Sequence, residues 1–219
     1  MALLLRLLHN EDPVQVIVEV SPYGLFFRQR RGRFLQRVFA RRLRGIACAS
    51  DSCIKGWGQV QAISNQINFP FEYKASLRYC RDKNAVLSCL DLSSQSRRLI
   101  QEGWEELIST RNLATLCQQN PKSLNAETAA AYAVASTLMR KEEEARSFAS
   151  IHGWRTDVDW QRREAFLAAG LESRWDKTER GRVAYIGGWQ HLLCATGCGT
   201  LCERLSHLHP RKMLLRDVR

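Results

Sequence analysis

The chain has 219 residues, of which 45% are hydrophobic and 25% charged; these are globular values, and they exclude a disordered polypeptide. Thirty-three Lys and Arg against 22 Asp and Glu leave a net charge of +11 and a pI near 9.6, a field that draws in phosphate polymers and anionic surfaces and carries no information about fold. No run approaches the roughly 20 apolar residues of a membrane helix, which excludes a spanning segment.

Residues 3–8 are apolar except for Arg6 and read equally as a strand or a short helix. Val14, Val16, Val18 and Val20 alternate with Gln15, Ile17 and Glu19, the period of a strand with one well-buried face. Ser21-Pro22-Tyr23-Gly24 is a turn signal, after which Leu25-Phe26-Phe27 would be the return strand of a hairpin. Residues 32–44 read as a helix ended by Gly45. Residues 60–63, 69–79 and 85–90 are β-like, with Pro70 placing the second at a sheet edge.

From Ser93 the pattern turns helical. A first helix carries Leu99, Ile100, Trp104, Leu107 and Ile108 and closes at Asn120-Pro121. A second runs from about residue 123 to His152 and stops at Gly153. A third starts at Asp157 or Asp159, as caps, and ends at Gly170. A fourth covers 188–208, weakened by Gly197 and Gly199. The expected fold class is α+β: a β-rich amino-terminal half with one basic helix packed on a sheet, then a mainly helical carboxy-terminal half. The expected regions are 1–92 and 93–219, which can form one continuous domain.

Arginine dominates the basic residues, 26 against 7 lysines. A forked, permanently charged guanidinium grips phosphate bidentately and stacks on bases. Arg28, Arg30, Arg31, Arg33, Arg37, Arg41, Arg42 and Arg44 cluster without a single acid between them. At about 100° per residue, Arg33, Arg37, Arg41 and Arg44 share one stripe. Leu35, Val38, Phe39, Leu43 and Ile46 fall opposite. Like charges at i, i+4 disfavour a helix by a few tenths of a kcal/mol per pair, so the stripe expects a neutralising partner. A solvated basic face, a membrane-lying helix and a surface for an acidic protein are the competing readings. Tyr23, Phe26, Phe27, Phe34 and Phe39 interleave with the arginines and are either core or stacking platforms. Arg204, Arg211, Lys212, Arg216 and Arg219 form a second basic patch or a solvated tail.

Eight cysteines without a leader sequence are expected to be reduced thiols in a cytosolic or nuclear setting. Zinc is the alternative, with Cys48, Cys53, Cys80 and Cys89, or Cys194, Cys198, Cys202, His207 and His209, as ligand sets. No CxxC knuckle supports either, and three thiolates along one straight helix cannot reach one tetrahedral ion. No nucleotide-loop, zincin or serine-hydrolase motif is present. His9, His152, His191, His207 and His209 are scattered, each more simply structural than a general acid or base. Glu142-Glu143-Glu144 reads as a salt-bridged surface, and Trp154, Trp160, Trp175 and Trp189 as a core or interface cluster.

The expectation is a cytoplasmic, non-catalytic RNA- or DNA-binding subunit of a nucleoprotein complex of RNA-guided or mobile-element type. It has protein partners, no membrane and no cofactor. Its nucleic-acid contacts are Arg28, Arg30, Arg31, Arg33, Arg37, Arg41, Arg44, Arg211, Lys212 and Arg216. The alternatives are a metal-independent endoribonuclease that binds an RNA stem, a transcription regulator and a basic protein-interaction module.

Overall fold

A computed structural model of the chain describes residues 1–46, 63, 64, 67–118, 124–178 and 181–217. It is mostly helical, 68% helix against 7% strand, which corrects the expected β-rich amino-terminal half. In chain order the elements are α1 (Ala2–Glu11), β1 (Gln15–Val18), α2 (Pro22–Gly45), α3 (Phe71–Lys83), β2 (Val86–Cys89), α4 (Ser93–Leu107), α5 (Thr110–Gln118), α6 (Leu124–Arg140), α7 (Glu142–Ile151), α8 (Val158–Trp175), β3 (Val183–Ile186) and α9 (Leu201–Arg204). No helix among the described residues is long and apolar enough to cross a membrane.

The corrections have local causes. Ser21 is a helix N-cap, not a hairpin turn: its hydroxyl accepts from the Gly24 N–H at 2.9 Å, and Pro22 occupies the first helical position. Leu25-Phe26-Phe27 therefore lies inside α2. The aromatic run at 69–79 has strand propensity, yet Ala75, Ser76, Tyr79 and Cys80 are the buried residues of α3, and their spacing is helical. Burial of one helical stripe overrode side-chain propensity there. Of the 60–63 strand, residues 60–62 lie outside the described residues, as does Asn120-Pro121, and Ile63 is helical. The long helix from residue 123 is two, broken at Lys141. Asp157 does cap α8, accepting from the Trp160 N–H, but α8 runs through Gly170. The helix expected at 188–208 is instead β3's exit, a 3-10 turn at Trp189–Leu192 and α9.

The described chain divides into two compact units. The first holds Met1–Val20, Phe71–Leu92 and Tyr132–Arg219. Its sheet is parallel, in the order β2-β1-β3, with Gln15 opposite Val86 and Val183. All four residues of β1 are buried, so both faces of this central strand are covered. Ile17 packs with Leu90, Leu167, Ala168, Leu171, Leu201 and Leu205, which seats α8 and α9 on one face. Val16 and Val18 point the other way, and α3 packs along β1 and β2. The Tyr79 hydroxyl of α3 donates to the Pro13 carbonyl at 2.9 Å.

The second unit holds Ser21–Pro70 and Ser93–Ala131. α2 packs on α4 and α5 around Leu35, Phe39, Ile46, Ile63, Ile67, Ile108 and Leu113. The basic helix thus rests on helices, not on a sheet: among the described residues every strand belongs to the other unit. Gly32 is buried against the Ile67 carbonyl, which a Cβ would approach to 3.2 Å.

Candidate functional site

Two constellations stand out, one in each unit. In the second unit, α2 buries Gly24, Gly32, Leu35 and Phe39 and turns its arginines outward. Arg30, Arg31, Arg33, Arg37, Arg41 and Arg44 are exposed. None of these six meets a carboxylate among the described residues. Arg44 Nε reaches only the Ala40 carbonyl of its own helix, and the Arg30 guanidinium lies 4.8 Å from the centre of the Phe26 ring. Arg28 departs from the stripe. It is half-buried, and burial holds its guanidinium below the ordinary value. Arg42 is half-buried too and donates to the Ile108 carbonyl at 2.8 Å. Of the eight arginines of α2, Arg28 and Arg42 are thus half-buried and the other six are exposed.

The carboxy-terminal patch belongs to the first unit. Arg211 pairs with Glu11 at 2.9 Å, and the Lys212 ammonium lies 3.2 Å from Cys194 Sγ. The side chain of Arg216 and the whole of Arg219 lie outside the described residues.

The first unit's constellation sits where its three parallel strands end. Glu19 follows β1, Asp91 lies just beyond β2, and Gly187-Gly188 follows β3. Arg163 and Glu164 come from α8, and His191 from the 3-10 turn. One Glu19 oxygen accepts from Arg163 Nη2 at 2.5 Å and lies 3.0 Å from His191 Nε2. The other accepts from the Tyr185 hydroxyl at 3.1 Å and the Gly188 N–H at 2.6 Å. Arg163 also grips both Asp91 oxygens at 2.9 Å. His191 Nδ1 lies 2.5 Å from Glu164, whose second oxygen accepts from the Leu201 N–H at 2.5 Å. Trp160 stacks on the imidazole with centroids 5.5 Å apart.

The electrostatics follow from this packing. Burial alone would raise Glu19, but the His191 hydrogen bond and charge, Arg163 and the Gly188 N–H hold it down at about 2. Burial would lower His191, yet the hydrogen bonds and charges of Glu164 and Glu19 push it up to about 9. The imidazole is therefore protonated at neutral pH, and its two N–H groups donate to two carboxylates. Burial and Glu19 together push the Tyr185 phenol up. A Cβ on Gly187 would fall 2.3 Å from Glu19 Oε2 and 2.6 Å from the Tyr185 hydroxyl, so only glycine lets β3 end this close to the carboxylate.

β1 lies between β2 and β3, so the chain reverses its direction across the sheet there. In open parallel sheets ligands bind in the crevice outside such carboxyl ends. Of this group the sequence singled out His191, as one of five scattered histidines, and Trp160, as one of a cluster of tryptophans. The available signal was three short apolar runs, each followed by an acid or a glycine pair: Glu19, Asp91 and Gly187-Gly188. The third run fell between two expected helices, the one ending at Gly170 and the one at 188–208, and was not assigned.

Cys194, Cys198 and Cys202 do not line one helix, because Ala195, Gly197 and Gly199 adopt positive φ and break the segment. Cys194 and Cys202 are joined by a disulfide, at odds with the expectation of reduced thiols, and Cys80 and Cys198 are buried thiols. Cys48 and Cys53 lie outside the described residues. No group of three or more His, Cys, Asp or Glu side chains able to hold a metal ion occurs among the described residues. Comparison with family models, with curated proteins and with solved structures gives no match to the chain.

Proposed function

We propose that the protein binds nucleic acid, RNA or DNA, through the outward face of α2, as a non-catalytic component that works with other protein subunits. One observation carries this reading: six exposed arginines on one helix meet no carboxylate among the described residues. Like charges crowded along a helix repel, and a phosphate backbone relieves the repulsion while releasing its counterions. Five guanidiniums, each on one phosphate, give a log–log salt slope of roughly −3.5 to −4.5. Anisotropy of labelled RNA and DNA across a salt series is the test. Arg33→Glu, Arg37→Glu and Arg41→Glu together are expected to weaken binding by orders of magnitude and leave the thermal midpoint nearly unchanged. A shallow slope in the parent protein, or collapse of the triple variant, defeats the reading.

The carboxylate–imidazole group favours a second reading, an acid–base enzyme acting at the carboxyl edge of the sheet. A histidine held protonated by two carboxylates keeps its proton at neutral pH and becomes a useful donor only when those contacts loosen and its proton affinity falls. Its use requires the Glu19–His191 contact to open, since His191 is only 2% exposed and every Glu19 lone pair is engaged. Cleavage of labelled RNA in EDTA that disappears in His191→Asn selects this reading; intact RNA leaves the non-catalytic one.

A further inference from the structure

We propose that the α2 face is a platform for single-stranded nucleic acid, in which Phe26 and Phe34 stack on bases while the neighbouring arginines hold the strand's phosphates. This rests on the polyanion reading above and names the class of polymer.

The aromatics of α2 divide by environment. Phe39 is in the core. Phe27 meets Trp104 edge-to-face at 5.5 Å. Tyr23 is engaged by Arg97, whose guanidinium lies 5.0 Å from its ring centre. Phe26 and Phe34, by contrast, are each 51% exposed. They are not scattered. At about 100° per residue, Phe26, Arg30, Arg33, Phe34, Arg37 and Arg41 fall within an arc of about 100°, opposite the buried Leu35 and Phe39. Ring and guanidinium therefore share one stripe, with the two rings about 12 Å apart along the axis. The Arg30 guanidinium lies 4.8 Å from the centre of the Phe26 ring, within cation–π range, so a ring and a cation are already neighbours on this face.

An exposed ring adds nothing against a duplex, whose base faces are already stacked on one another. Against an unpaired strand it finds a π-face at every nucleotide. Alternating rings and cations are what such a strand requires: a stacking surface for bases beside donors for phosphates. An anionic membrane fits less well. A helix lying on lipid sinks its apolar face into the acyl boundary, and here that face, with Leu35, Phe39 and Ile46, is closed inside the unit's core.

The experiment uses the full chain. Probes are a labelled 20-nucleotide single strand of RNA, the same in DNA, the corresponding duplex, and vesicles of phosphatidylserine and phosphatidylcholine. Phe26→Ala/Phe34→Ala is compared with Phe26→Leu/Phe34→Leu, which keeps apolar bulk and fold but removes the ring face. The parent is expected to prefer the single strands. Both variants are expected to lose roughly 10-fold affinity per ring, on the order of 100-fold together, for single strands, with duplex binding and the salt slope unchanged. Equal single-strand affinity in parent and Leu variant overturns the proposal, as does preference for duplex or for vesicles. If Arg33→Glu/Arg37→Glu/Arg41→Glu abolishes binding while the Phe variants bind like the parent, the polyanion reading stands and this one falls. If the parent binds no nucleic acid at all, both fall.

Discussion

Glu19 and His191 each carry a shifted proton affinity, and the two shifts have opposite consequences for stability. The imidazole titrates at about 9 in the fold against an ordinary 6.5. Folding thus favours its protonated form, and the stability it adds is complete below pH 6.5 and lost as pH rises through 9. The carboxylate titrates at about 2 against an ordinary 4.5. Its contribution is complete above pH 4.5 and lost as pH falls through 2. The pair therefore stabilises most between pH 4.5 and 6.5. Thermal midpoints measured from pH 6 to 9.5 are expected to fall steadily in the parent. In His191→Gln that decline should largely vanish, and the midpoint at pH 6 should be lower, because Glu19 and Glu164 lose their shared cation. A variant that keeps the parent's alkaline decline would show that another group titrates there.

α2 is the element on which sequence and structure agree most usefully. Its interior was legible because arginines and apolar residues segregate by angle, and that segregation survives as exposed Arg33, Arg37 and Arg41 against buried Leu35 and Phe39. Its start was missed because Ser-Pro at 21 and 22 serves a turn and a helix N-cap equally well. β3 was left unassigned because Val183–Ile186 is only four residues long, too short for a period that separates strand from helix. The cluster around Glu19 was not legible for a deeper reason: its members are separated by up to 172 residues, and no local periodicity brings such residues together.

Two helix glycines offer a contrast at the same scale. Gly32 faces the Ile67 carbonyl at a distance that leaves no room for a branched side chain, whereas a Cβ on Gly103 in α4 meets nothing within 4 Å. Gly103→Ala is expected to stabilise by about 0.5–1 kcal/mol through helix propensity. Gly32→Val should lower the thermal midpoint despite removing a helix glycine, because backbone cannot yield as a side chain does. Calorimetry on both variants checks the pair, and equal stabilisation by both would mean that α2 and Ile67 are not in close contact.

Across the whole molecule, the two units have separate cores, one around Ile17 and Leu167 and one around Phe39 and Leu113. Leu113 is fully buried, and Leu113→Ala is expected to cost about 2–5 kcal/mol through the cavity it leaves. Hydrogen exchange should show that loss in α4 and α5 with β1 and β2 still protected. Equal loss of protection throughout would mean that the units open together.

The first unit is also interrupted twice by the second, and its central strand is made long before its last neighbour. During synthesis every residue of the second unit has been added to the chain by Ala131, while Val183–Ile186 is still to come. The arginine-bearing unit is thus expected to mature on the nascent chain first, leaving β1 beside β2 with one side unoccupied. Emergence of His191, not of β1, then sets when the acid at position 19 acquires its imidazole partner.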